Sequence, residues 1–251
     1  MKDVHPVAAA GFASGADVYE RARPSYPADA VEWLVERAGI GPGTVVADVG
    51  AGTGKLTRLL VPSGARVVAV EPIAEMRALI TETEAVAGTA ESLPFDDEAV
   101  DVLTVAQAFH WFDFERAIPE IARVLKPGGH LALVWNMRDL SDPLQRAVED
   151  LLAPLRAEQP LQQQGTWREP IARSPLFGDG EVREFRYAQL FTEDDLAARV
   201  ASTSFVAAMS PLDRDALLAR VRALAVGFEQ PFPFPYVTEV HLLPKVTFGH
   251  G

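Results

Sequence analysis

The chain has no cysteine, which removes disulfides, thiolate metal sites and cysteine nucleophiles together and agrees with a reducing compartment. Basic residues are also scarce: 23 Lys and Arg stand against 35 Asp and Glu, a formal net charge of -12. Nucleic acids and anionic membranes bind through clustered cations that neutralise phosphates, so no nucleic-acid or membrane partner is expected. No stretch reaches the ~18 apolar residues that span a bilayer, and no long apolar run follows Lys2. A soluble, cytoplasmic protein is the expectation. His5, His130, His241 and His250 fall at termini or on strands without metal-ligand spacing, so no metal site is proposed. No internal repeat of useful period is present.

What the chain does have is glycine in one place. Residues 45 to 54 read Val-Val-Ala-Asp-Val-Gly-Ala-Gly-Thr-Gly, an apolar run that ends in Asp48 and then alternates glycines at 50, 52 and 54. Gly50, Gly52 and Gly54 leave one turn without three of its β-carbons, so its backbone can approach a ligand and visit positive φ. Ala51 lies within the same turn. A second apolar run, residues 66 to 70, ends in Glu71, 17 residues beyond Gly54, with Pro72 after it. An acid at that position can accept both hydroxyls of a ribose. Up to here a dinucleotide and another nucleoside cofactor fit equally. Asp48 separates them, because a diphosphate would bring further negative charge beside it. A cationic ligand suits it better, and S-adenosylmethionine offers a ribose, an ammonium group and no phosphate.

These residues resemble the class I S-adenosylmethionine-dependent methyltransferases, and the likeness extends beyond one loop. The acid and glycines of 48 to 54, Glu71, the segment Thr-Ala-Glu-Ser-Leu-Pro-Phe at 89 to 95 and the run Ile-Ala-Arg-Val-Leu-Lys-Pro-Gly-Gly at 121 to 129 stand in that family's order and spacing. Tyr-Glu-Arg-Ala-Arg-Pro-Ser-Tyr-Pro at 19 to 27 and Gln-Ala-Phe-His-Trp-Phe-Asp at 107 to 113 are similar to the small-molecule subgroup that includes the trans-aconitate methyltransferases. The resemblance implies a Rossmann-like, doubly wound, mostly parallel seven-stranded α/β sheet with a helical lid. It also implies that Tyr19 and Arg23 reach the cofactor's methionine portion, Arg23 being suited to its carboxylate. Ala90 and Glu91 would meet the adenine edge, although Thr89 replaces the family's frequent Asp. Met76 fits either the adenine face or the core.

Periodicity supports the same architecture. A chain of 251 residues with 48% hydrophobic content can bury one substantial core. Val31, Leu34, Val35 and Ala38 repeat at helical spacing, and strands near 86, at 100 to 106 and at 131 to 135 alternate with helices near 73 to 83 and 115 to 125. Gly128 and Gly129 read as a helix stop and tight turn before the fifth strand. The expected organisation is an N-terminal arm and helix at 1–40, a cofactor-binding core at 41–137, a helical lid at 138–230 that includes a strand near 181 to 191, and a final antiparallel strand within 231–251. In doubly wound sheets the ligand lies beyond the carboxyl ends of the strands where their order reverses. Asp48, Glu71 and Gln107 all stand at strand ends, and all three are expected at the cofactor.

Past the fourth strand lie His110 and Trp111, where an acceptor would approach the methyl group; Trp111 and Tyr26 are assigned to the substrate. A carboxylate acceptor arrives deprotonated and needs no base, whereas for a hydroxyl or amine His110 is the candidate to take the proton. The aromatics Trp167, Phe177 and Phe205 fit either an apolar acceptor pocket or the lid core. Three other functions share part of this sequence signature: a nicotinamide oxidoreductase, a cofactor-binding regulator without transfer activity, and an enzyme of the same fold that catalyses a cyclisation.

Overall fold

The structure, a computed structural model, describes residues 23–155 and 167–247. Seven strands form one sheet: β1 (Val45–Val49), β2 (Arg66–Val70), β3 (Glu84–Val86), β4 (Val100–Ala106), β5 (Leu125–Arg138), β6 (Glu181–Phe191) and β7 (Phe232–Pro244). Their spatial order is β3-β2-β1-β4-β5-β7-β6. The first five pair in parallel, while β7 runs antiparallel between β5 and β6. The order reverses between β1 and β4, which opens a crevice at their carboxyl ends. This is the Rossmann-like, doubly wound fold that the alternation predicts.

Both faces of the parallel strands are apolar because both are covered. On one face Leu103, Val105, Leu131, Leu133 and Trp135 pack with Ile118 and Ile121 of α4 (Phe114–Val124). On the other, Val46, Val67, Val102 and Val134 pack with Val31 and Leu34 of α1 (Ala28–Arg37) and with Leu56 and Leu60 of α2 (Lys55–Leu60). A third cluster joins α5 (Pro143–Leu152), α7 (Glu193–Ala201) and α9 (Pro211–Leu224) to Phe191, Phe232, Phe234 and Tyr236 at the adjoining ends of β6 and β7. Register places Tyr236 opposite Arg138, the last residue of β5, so these helices, which fall in the expected lid, gather at the carboxyl end of the parallel strands.

Several boundaries differ from the periodicity. The helix expected over 73 to 83 shrinks to α3 (Ala74–Arg77), because the chain turns to bury Ile80 against Gly54 and Thr83 then bonds the carbonyl of Val67 at 2.6 Å. β5 begins at Leu125, directly after α4, so Gly128 and Gly129 lie inside the strand and do not precede it. They occupy an irregularity between the pairs Val100/Leu125 and Val102/His130, where Gly128 takes φ +77°. β6 pairs along its whole length with β7 and belongs to the main sheet, dividing the lid into two helical pieces. Trp167 and Phe177 pack beneath the sheet and Phe205 against the lid cluster, so all three serve as core. Trp167 precedes α6 (Arg168–Arg173), and α8 (Ser204–Ala207) is a single turn between α7 and α9.

Candidate active site

The glycine turn is built as its sequence requires. Beyond β1 the N–H groups of Gly50 and Ala51 both donate to the carbonyl of Val70, at 2.9 and 3.2 Å, joining the turn to the end of β2. Gly50, Gly52 and Gly54 take φ of +67°, +59° and +83°, values that a side chain disfavours. At Gly50 the restriction is doubled, since an added β-carbon would stand 2.7 Å from Cβ of Ala108. Met76 is buried with its Cε 3.7 Å from the position of a β-carbon on Gly52, so it supports the turn from beneath.

Glu71 is held against this turn. Its Oε2 accepts the N–H of Gly52 at 2.8 Å and its Oε1 that of Ile73 at 2.9 Å. Burial raises its pKa, and the two backbone hydrogen bonds oppose that shift. Each oxygen keeps acceptor capacity for a ribose hydroxyl, because a carboxylate has about four acceptor sites. Pro72 follows, its carbonyl and that of Glu71 both accepting from Nη1 of Arg77.

Asp48 lies behind the turn, only 1% exposed. Thr57 on α2 and Thr104 on β4 donate their hydroxyls to its two oxygens at 2.5 and 2.7 Å. Burial outweighs these bonds and pushes its pKa up to about 6. Asp48 clamps β1, β4 and α2 together where the turn begins, and a cofactor ammonium that it attracted directly or through water would share it with two hydroxyl donors.

The crevice brings together Arg23, Tyr26, Gly50, Ala51, Gly52 and Gln107, all anticipated from sequence. It adds Thr53, Lys55, Asn136 and Arg199, which were not. Gln107 takes φ +59°, uncommon for a residue with a side chain, as the chain leaves β4. Asn136, near the end of β5, donates to the carbonyl of Ser25 at 3.1 Å and accepts from Thr238 at 2.6 Å, while Tyr187 donates to the same carbonyl at 2.8 Å. These bonds fix the chain just after Arg23, whose Nη2 donates to the carbonyl of Ser202 at the end of α7, at 2.9 Å. A polar residue among the apolar residues of β5 was the available signal for Asn136. Tyr19 lies outside the described residues.

The remaining expected residues do not line the crevice. Ala90 is buried, and Glu91 accepts the N–H of Asp113 at 2.9 Å, so part of its carboxylate serves the start of α4. Beside them the Thr89 hydroxyl is buried without a hydrogen-bond partner among the described residues, a polar atom available at the expected adenine edge. His110 and Trp111 occupy a 3₁₀ turn, Phe109–Trp111, with ring centroids 4.7 Å apart. Burial, and secondarily the charge of Arg23, push His110 down to about 3, and its Nδ1 is buried without a partner among the described residues. The imidazole is neutral at physiological pH and weakly basic, a poor proton acceptor.

A carboxylate against bare backbone and an arginine lining the adjoining crevice suit a nucleoside cofactor with an amino-acid tail. The comparisons agree. A methyltransferase-domain family model matches residues 47–133. An uncharacterized methyltransferase of Mycobacterium tuberculosis is 42% identical over 236 residues, covering 90% of this chain and 92% of its own. A methyltransferase-like protein of Schizosaccharomyces pombe is 34% identical over 214 residues, 82% of either chain. A structure assigned as a type II methyltransferase from Anaeromyxobacter dehalogenans shares the fold at a TM-score of 0.66, with 24% identity over 89% of this chain and 97% of that one. The chain belongs to the class I S-adenosylmethionine-dependent methyltransferases. It is an enzyme of that class, and S-adenosylmethionine is its cofactor. Among the described residues no helix is long and apolar enough to cross a membrane.

Proposed function

We propose that the protein methylates an oxygen of a small-molecule acceptor, and that this oxygen belongs to a carboxylate. S-adenosylmethionine, when bound, would supply a methyl group activated on a sulfonium, whose transfer to the acceptor oxygen would leave the sulfur with the electron pair of the broken C–S bond. The protein's own residues bind, orient and shield. Glu71 and the glycine turn are suited to the nucleoside, Arg23 to the amino-acid carboxylate, and the lid helices to excluding water from the crevice.

One observation carries the choice of acceptor. No Asp, Glu or His lines the crevice among the described residues, and the nearby His110 is a weak base. An acceptor that must lose a proton would find no carboxylate or imidazole among these residues to take it. A carboxylate is already ionised at neutral pH. The resemblance of residues 19 to 27 and 107 to 113 to trans-aconitate methyltransferases supports the same class. The acidic surface and the absence of cysteine support a cytoplasmic enzyme acting on small molecules.

The test is transfer from methyl-labelled cofactor to matched carboxylic acids, alcohols and amines. Label in products that mild alkali hydrolyses marks methyl esters and is the expected result. Alkali-stable label in alcohols or amines alone would overturn carboxylate methylation and restore His110 as candidate base.

A further inference from the structure

We infer that Arg199 of α7 is the specificity residue of this site, receiving an anionic carboxylate of the acceptor; this rests on the methyl-transfer reading above. Arg199 lines the crevice. Its Nε and Nη1 are shielded from solvent and have no hydrogen-bond partner among the described residues. A guanidinium with buried, unpaired N–H groups is costly unless a ligand completes it. Its planar donor array matches a carboxylate in two parallel hydrogen bonds.

The charge of the crevice points the same way. In a chain of net charge -12, its described lining carries Arg23, Lys55 and Arg199 and no acidic residue. S-adenosylmethionine brings one carboxylate but also an ammonium and a sulfonium, so it leaves the site more positive than before. An anionic acceptor would offset that added charge, and the acceptor is the component still to enter. Arg199 also sits where an acceptor would be read, on a lid helix instead of the glycine turn. Its charge reaches Tyr187, which stacks on Tyr236 at 5.7 Å, and the hydroxyl of Tyr236 is likewise buried without a partner among the described residues.

A purely structural role is the competing explanation, since an arginine in the last turn of α7 complements the helix dipole. The two differ in what Arg199→Gln changes. The experiment first measures calorimetric binding of S-adenosylhomocysteine to the wild type, Arg199→Gln and Arg199→Lys. It then titrates the loaded proteins with succinate, citrate, benzoate and neutral succinamide, with thermal unfolding recorded for each. The expected result is carboxylate binding by the loaded wild type, weakened at least about tenfold in Arg199→Gln and less in Arg199→Lys, with the homocysteine ligand bound within about threefold of wild type throughout. Succinamide does not bind. Equal carboxylate affinity in wild type and Arg199→Gln, or no carboxylate binding by the loaded wild type, overturns the assignment. So does loss of S-adenosylhomocysteine with carboxylate binding intact, which places Arg199 on the cofactor. A wild type that binds no S-adenosylhomocysteine defeats the underlying methyl-transfer reading instead.

Discussion

The N–H of Gly52 donates to Oε2 of Glu71 at 2.8 Å, so the tip of the glycine turn after β1 is fastened to the acid that ends β2. One carboxylate thus shapes the turn and remains available to a ribose. Glu71→Gln places an amide where two backbone N–H groups converge, and its NH₂ must face one of them. S-adenosylhomocysteine affinity is expected to fall by about 10- to 100-fold, corresponding to about 1.4 to 2.8 kcal/mol. Calorimetry checks the affinity, and unchanged binding would remove Glu71 from the cofactor site.

Asp48 makes the free protein less stable as pH rises. Its pKa is pushed up to about 6 from an ordinary 3.8, so between those values the folded protein keeps a proton that the unfolded chain has released. Stability associated with this group is complete below pH 3.8 and is lost as pH rises through 6. Asp48→Asn removes the titration, and its stability relative to wild type is expected to grow by about 2 kcal/mol between pH 4.5 and pH 7. Urea denaturation at both pH values measures the difference; a pH-independent difference would mean that the carboxyl titrates normally.

His110 acts with the opposite sign. Its pKa is pushed down from 6.5 to about 3, so the unfolded chain takes up a proton first and stability is lost as pH falls below 6.5. His110→Phe preserves an aromatic ring beside Trp111 and Trp135 and should escape about 2 kcal/mol of the wild-type loss between pH 7 and pH 5. Parallel stability curves for the two proteins over this range would show that the imidazole is reached by water and protonates normally.

Two glycines with similar backbone angles differ in their surroundings. Gly52→Ala meets only Cε of Met76 at 3.7 Å, so backbone strain of about 1 to 2 kcal/mol is expected. Gly50→Ala adds a 2.7 Å clash with Cβ of Ala108 to the same strain and should destabilise by about 2 to 5 kcal/mol. Denaturant midpoints rank them; equal losses would show that β4 and its following turn yield readily at Ala108.

Much of this was legible in local sequence, where short-range chemistry sets the outcome. β4 spans Val100–Ala106 as its apolar run indicates. α7 begins where Thr192 and Asp195 exchange capping hydrogen bonds and spans Glu193–Ala201, as its periodicity suggests. The glycines of the turn take the positive φ for which they are suited. The length of α3 was not legible, because helical spacing around Met76 could not reveal that Ile80 must turn inward toward Gly54. Nor was the membership of β6 in the main sheet, since alternation identifies a strand but not its neighbour.

The sequence by itself determined the class of cofactor and the form of the glycine turn: backbone freedom at three glycines and a strand-end acid are properties of single residues at fixed spacing. Only the tertiary structure decided what surrounds that turn. Arg199 reads in sequence as an ordinary last-turn arginine, and Asn136 as one polar residue in an apolar strand. They share a crevice because β5 and the lid helices converge on the carboxyl ends of the parallel strands. Long-range packing, which local periodicity does not encode, brings the Arg199 guanidinium, whose Nε and Nη1 have no hydrogen-bond partner among the described residues, into the crevice and withdraws Asp48 behind two hydroxyls.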